Sequence, residues 1–299
     1  MRLKSSSILV FLIVVVALAA CAAEAPAASS TIASTEVAGS TEPAVLPASE
    51  TSTATLFVAE AIEDRAGCVI TAPPAELGLD PYYTKYCDAN GIIIAASGDV
   101  DDFAMREAWY VVVNFFAPLP EALASLVESG AQLSIYDSRL EDLRDIPEHY
   151  TLSFDTTNFA IGLGGTLSNP VTVTLENDLL CNSNTNTNYR VTIHELGHML
   201  RDMYLLPERR GFLREGQNAF ANAFAAGLWE GAYARENADE NWAEGVGAYF
   251  GVYRDSNGTR YVSDRSSLEN YDAMLFELID SVFMGFEWEP SCPPLRISN

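Results

Sequence analysis

The sequence predicts an α+β domain in which a small sheet packs on helices that carry the chemistry. Three observations lead there. Two short stretches, Gln132–Tyr136 and Val171–Leu175, alternate apolar and polar residues as half-buried strands do. Longer stretches around them repeat apolar residues at spacings of three and four, the period of a helix with one buried face. Finally, His194-Glu195-Leu196-Gly197-His198 sets two imidazoles four residues apart, which on a helix places one above the other on the same face.

Taken in order, Arg2 and Lys4 precede an apolar run over residues 8–20, which reads as a signal peptide and is short for a membrane span. Leu18-Ala19-Ala20-Cys21 resembles the bacterial lipobox, in which the cysteine is acylated and becomes the first residue of the mature chain. The expectation is a lipoprotein outside the cytoplasm, held on a membrane through Cys21 without a spanning helix. Residues 22–55 are rich in Ala, Ser, Thr, Pro and Glu and cannot bury enough surface to fold, so residues 21–55 form a lipidated tether. The remaining residues 56–299 suit one globular domain, with room for an N-terminal lobe over 56–150, and 48% apolar residues supply its core.

Within that domain a helix is expected over residues 101–116. Another runs through Leu123, Leu126 and Val127 and ends at Gly130. After the two strands, Ile193, Leu196, Leu200 and Tyr204 form the buried stripe of the histidine helix, with Asn186, Thr187 and Asn188 as N-caps and Pro207 as its stop. Gly197 would serve a close backbone approach. A further helix spans residues 217–229. The last begins with a Ser266/Glu269 capping box and carries Tyr271, Leu275, Leu278, Ile279 and Val282 on one stripe. Asn257-Gly258 marks a turn between Val252-Tyr253 and Tyr261-Val262.

The histidine pair is suited to one Zn²⁺, and Glu195, one residue after the first imidazole, is placed to act as general base on a water held there. The chain has three histidines, and no other follows His198. The remaining one, His149, reads as a loop residue near a strand end. A metzincin-type third histidine would need Gly at 201 and His at 204, where Arg201 and Tyr204 stand. The third ligand is therefore expected to be a carboxylate, with Glu240 the best candidate and Glu208 and Glu215 the competitors. Glu240 and Glu244 lie four apart on a predicted helix, so one can bind the metal while the other accepts the free ring N–H of a ligand histidine.

His194-Glu195-Leu196-Gly197-His198 followed by Tyr233-Ala234-Arg235-Glu236-Asn237-Ala238-Asp239-Glu240-Asn241-Trp242-Ala243-Glu244 resembles the zinc metallopeptidases related to the catalytic domain of anthrax lethal factor. The resemblance implies a zincin-like fold, Glu240 as third zinc ligand, and Tyr233 pointing into the site to stabilise the oxyanion. Tyr83-Thr84-Lys85-Tyr86, residues 91–97, Gly162-Leu163-Gly164-Gly165-Thr166 and residues 176–181 are similar to secreted, poorly characterised relatives of that family. The likeness covers roughly residues 80–290, and nothing in it matches the toxin's receptor-binding and substrate-docking domains.

The expected activity is zinc-dependent hydrolysis of peptide bonds in a peptide or protein held as an added strand on the sheet edge. Two alternatives share the site: another zinc amide hydrolase acting on cell-wall peptides, and a catalytically silent zinc-containing surface binding protein. A purely structural zinc would usually be closed by four protein ligands and would need no Glu195. With 17 Lys and Arg against 41 Asp and Glu, net charge −24, the chain is a poor match for nucleic acid. The charge could steer basic peptides, although a solubilising exported surface is the simpler explanation. Beyond Cys21, four cysteines are free to pair outside the cytoplasm, and their order and spacing favour Cys68 with Cys87 and Cys181 with Cys292.

Overall fold

The computed structural model describes residues 65–139, 145–149, 161–181, 189–253 and 262–293. All lie in the compact unit Thr55–Asn299. The leader, the tether with Cys21, the caps at Asn186, Thr187 and Asn188, and the Asn257-Gly258 turn fall outside the described residues.

Among the described residues the fold is α+β with one four-stranded sheet, ordered β1-β2-β3-β4. Strands β1 (Lys85–Ala89) and β2 (Ile92–Ala96) pair antiparallel across Asn90-Gly91, whose φ of 55° and 95° suit the tight hairpin turn that Asn-Gly favours. The chain then crosses through helices α1 (Asp102–Phe115) and α2 (Pro120–Glu128) to β3 (Gln132–Tyr136), parallel to β2. Strand β4 (Val171–Leu175) adds parallel to β3 in the register Gln132 to Val171. Both β3 and β4 coincide with the stretches that alternate in sequence. Beyond β4, Leu163 bridges Val173 antiparallel with N–H···O distances of 3.1 and 2.8 Å, so residues 161–166 start a further edge.

Helix α1 matches its predicted span and is buried along most of its length. Asp101 caps it, accepting from Phe103 N at 2.8 Å. Pro120 opens α2, where its missing N–H costs nothing, and Gly130 follows its end at φ 75°.

After β4 come the short α3 (Glu176–Leu179) and α4 (Arg190–Leu200), which carries the histidines. Helix α4 does not stop before Pro207. It widens into a π turn, Arg201–Leu205, and ends with α5 (Leu206–Glu208), where Pro207 sits in the first turn and is tolerated there. Next, α6 (Phe212–Ala225) begins and ends earlier than the apolar pattern predicts, because Gly211 and Gly227 take positive φ on either side. Helix α7 (Ala238–Tyr249) packs on α4, and Trp242, Val246, Tyr249 and Phe250 bury against the core.

The final predicted helix is two: α8 (Arg265–Tyr271) and α9 (Ala273–Phe283). Asp264 and Ser267 form the capping box instead of Ser266 and Glu269. Asp272 breaks the run because its carboxylate caps Leu275 N at 3.2 Å and accepts Trp229 Nε1 at 2.8 Å. The stripe of Leu275, Leu278, Ile279 and Val282 is buried as expected.

Cys68–Cys87 and Cys181–Cys292 are disulfide-bonded, with Cα atoms 5.5 and 5.6 Å apart. They close sequence separations of 19 and 111 residues, worth about 3 and 5 kcal/mol of chain entropy respectively. No helix among the described residues is long and apolar enough to cross a membrane.

Candidate metal centre

Helix α4 is held at its head by groups far away in sequence. Buried Asp178 accepts Val191 N at 3.2 Å and Thr192 N and Oγ1 at 2.8 Å each, which satisfies the first free N–H groups of the helix. Tyr189, at φ 65°, donates its hydroxyl to buried Glu107 on α1 at 2.7 Å. Asp178→Ala leaves the Val191 and Thr192 N–H groups without this cap, although the Thr192 hydroxyl keeps Thr174 Oγ1 at 2.9 Å, and should lower unfolding free energy by about 3 kcal/mol. A urea midpoint shifted down at constant slope is the expected reading; an unchanged midpoint would show that the cap contributes nothing.

The head of α7 is built equally closely. Asn237 accepts Asp239 N at 2.8 Å and Glu240 N at 2.9 Å, which fixes Glu240 in the first turn. Buried Arg201 pairs with both Asp202 and Asp239 and so ties the extension of α4 to the residue beside Glu240. Trp242 Nε1 donates to Gly197 O at 2.9 Å. A methyl at Gly197 would lie 3.5 Å from Ala243 Cα, an ordinary contact. The approach of α7 is therefore close, but it does not by itself demand glycine.

Between these anchored helices three lone-pair atoms converge. His194 Nε2 stands 3.1 Å from His198 Nε2 and 3.1 Å from Glu240 Oε2, and His198 Nε2 is 3.3 Å from the same oxygen. A tetrahedral ion bound at 2.0–2.1 Å keeps its ligand atoms roughly 3.4 Å apart, so this donor triangle fits one small divalent cation. His194, Glu195 and His198 also offer atoms within 4.8 Å of one another. Glu244 Oε1 lies 3.4 Å from His194 Nδ1 and receives Arg190 at 3.1 Å, so it can orient that ring. Of the competitors, Glu208 is exposed and Glu215 pairs with Arg209 at 2.7 Å. His149 is buried elsewhere, with Nε2 3.3 Å from Val171 O.

The electrostatics follow from burial and proximity. Burial disfavours the charged form of His194, but hydrogen bonds to Glu240 and Glu244 outweigh it and hold the imidazolium up to about 10. Burial likewise opposes ionisation of Glu240 and Glu244, and the imidazole hydrogen bonds still pull both below the usual carboxylate value. Glu195 goes the other way: burial raises it, against the pull of the two imidazoles. Tyr233 stacks on His194 with ring centres 6.1 Å apart and is 52% exposed, open to a bound molecule. Burial of its hydroxyl end and the nearby Glu240 raise it above the ordinary phenol value.

No family model and no curated protein matches the chain. Among solved structures, the Pro-Pro endopeptidase PPEP-2 from Paenibacillus alvei overlays with a TM-score of 0.35 and 13% identity, covering 65% of this chain and 99% of that one. A likeness that slight carries no weight for the fold or the chemistry.

Proposed function

We propose that the chain is a zinc-dependent endopeptidase of zincin-like fold, with His194, His198 and Glu240 as metal ligands. One observation carries the reading: two imidazole nitrogens and a carboxylate oxygen, each able to bind a metal once deprotonated, converge within 3.3 Å, and a further buried carboxylate, Glu195, lies within 4.8 Å of the imidazoles.

Bound there, Zn²⁺ supplies Lewis acidity toward a peptide carbonyl and lowers the pKa of water. Glu195 takes a proton from the attacking water and passes it to the leaving amine nitrogen. Its burial favours this role, since a raised carboxylate is the stronger base. Tyr233 donates its hydroxyl to the developing oxyanion, and Glu244 keeps His194 in the tautomer that leaves Nε2 free. The peptide lies extended along the sheet edge beyond β4. The lipobox cysteine Cys21 anchors the enzyme outside the cytoplasm, and residues 22–55 give it reach; both disulfides accord with that compartment.

The test is metal content of the purified protein together with cleavage of a mixed peptide library. About one zinc per chain with cleavage at defined bonds is expected. Zinc without peptide cleavage, but with release of amine from cell-wall fragments, would move the assignment to an amidase. Zinc with neither activity would leave a binding protein, and no zinc would overturn the reading.

A further inference from the structure

The segment outside β4 reads Gly162-Leu163-Gly164-Gly165, and its glycines sit where no side chain fits. A Cβ on Gly162 would come 2.7 Å from Cγ and 2.8 Å from Cδ of Glu195, and closer still to Oε1. A Cβ on Gly164 would overlap that of His198 and lie 3.2 Å from its Cγ. Real Cβ atoms do not come nearer than 3.0 Å. The segment therefore rests against the helix face that carries the site, and the two contacts are to the general base and a metal ligand.

Its register is fixed independently. Leu163 exchanges both main-chain bonds with Val173, at 3.1 and 2.8 Å, and its side chain packs with Tyr136, Val171 and Val173 on the other face of the sheet. Gly165 N donates to Thr172 Oγ1 at 2.9 Å, and Tyr136 donates its hydroxyl to Ile161 O at 3.1 Å. Because antiparallel residues alternate, a Leu163 bonded to β4 turns the N–H and C=O groups of Gly162 and Gly164 away from β4, along the outer edge. Two glycines thus bring edge groups that pair with no described residue as close to Glu195 and His198 as backbone can come.

We infer that Gly162 and Gly164 are positioning residues of the hydrolytic site: Gly162 leaves the space in which the Glu195 carboxylate is aligned, and Gly164 sets how close the substrate-bearing edge lies to His198. The inference rests on the peptidase reading above. The two roles separate by where each clash falls. Against Gly162 the obstacle is the Glu195 side chain from Cγ outward, which can turn about its own bonds, so the strand can stay while the carboxylate swings away. Against Gly164 it is the root of a side chain on a packed helix, so the strand itself must retreat.

The experiment compares Gly162→Ala, Gly164→Ala and a control, Gly216→Ala on α6, where an added Cβ meets nothing within 4 Å. Gly162→Ala is expected to keep stoichiometric zinc and lower kcat by about 100-fold with KM nearly constant, the loss typical of a misplaced general base. Gly164→Ala is expected to raise KM mainly, and Gly216→Ala to match wild type. A second readout needs no turnover: in cobalt-substituted protein, Gly162→Ala should shift the visible bands in the same direction as Glu195→Gln. Wild-type kcat in Gly162→Ala, or cobalt bands left unmoved by it, overturns the inference while the peptidase reading stands. A wild-type protein that takes up no metal removes the site itself and overturns both.

Discussion

Glu195→Gln is expected to keep its zinc and lose about three orders of magnitude in kcat, within the 100- to 10,000-fold range typical of general acid–base groups. The side chains have the same shape, and the Glu195 carboxylate is not one of the three atoms that meet at 3.1–3.3 Å, so the metal keeps its ligands. What is lost is the ability to accept a proton. In the metal-free protein, stability should move the opposite way from activity: the buried site raises Glu195, which means that its charged form is held at a cost, and an uncharged amide removes that cost. A higher melting temperature in the metal-free variant, with turnover abolished when zinc is loaded, would mark a residue kept for chemistry. Undiminished turnover in zinc-loaded Glu195→Gln would remove Glu195 from its role, and a joint fall in stability and zinc content would make the residue structural.

The parts legible in sequence are those written in local periods. Two histidines at a spacing of four, and two glutamates at the same spacing, survive translation to the fold because a helix converts that spacing into one face wherever the helix sits. Strands β3 and β4 were equally plain from alternation. The hairpin of β1 and β2 carried a signal that apolar periodicity overlooks: Asn90-Gly91 is a strong turn pair, but the run Ile92-Ile93-Ile94 does not alternate, because the strand lies inside the sheet and is buried on both faces. Other features had no local signature. Asp178 caps a helix from 13 residues upstream, Glu107 reaches Tyr189 across 82 residues, and Arg190 meets Glu244 across 54. Such contacts exist only once the sheet has brought α1, α3, α4 and α7 together, so no window along the chain contains them. Asp272 shows the same limit from the other side. Its apolar neighbours keep a helical period straight through it, and only the buried partner Trp229 explains why the helix breaks there.

Glu240→Ala should abolish tight zinc binding, whereas Glu244→Gln should weaken it only about 10- to 100-fold, the usual cost of losing a group that orients a ligand. The two residues share a helix and lie one turn apart, so the contrast tests geometry and not helix stability. Glu240 Oε2 meets both imidazoles at 3.1 and 3.3 Å, and without it two neutral nitrogens remain, fewer than the three protein ligands of a catalytic zinc. Glu244 touches only the far nitrogen of His194, at 3.4 Å, and a glutamine oxygen can still accept that N–H. Chelator competition gives the two affinities. Thermal unfolding gives an independent check, because a metal bound only by the folded chain adds its binding free energy to stability. The melting temperature of wild type and Glu244→Gln should rise on adding zinc, and that of Glu240→Ala should not. Equal zinc affinity in Glu240→Ala and wild type would hand the third position to another group, and Glu195, a carboxylate within 4.8 Å of both imidazoles, would then be a ligand and not a base.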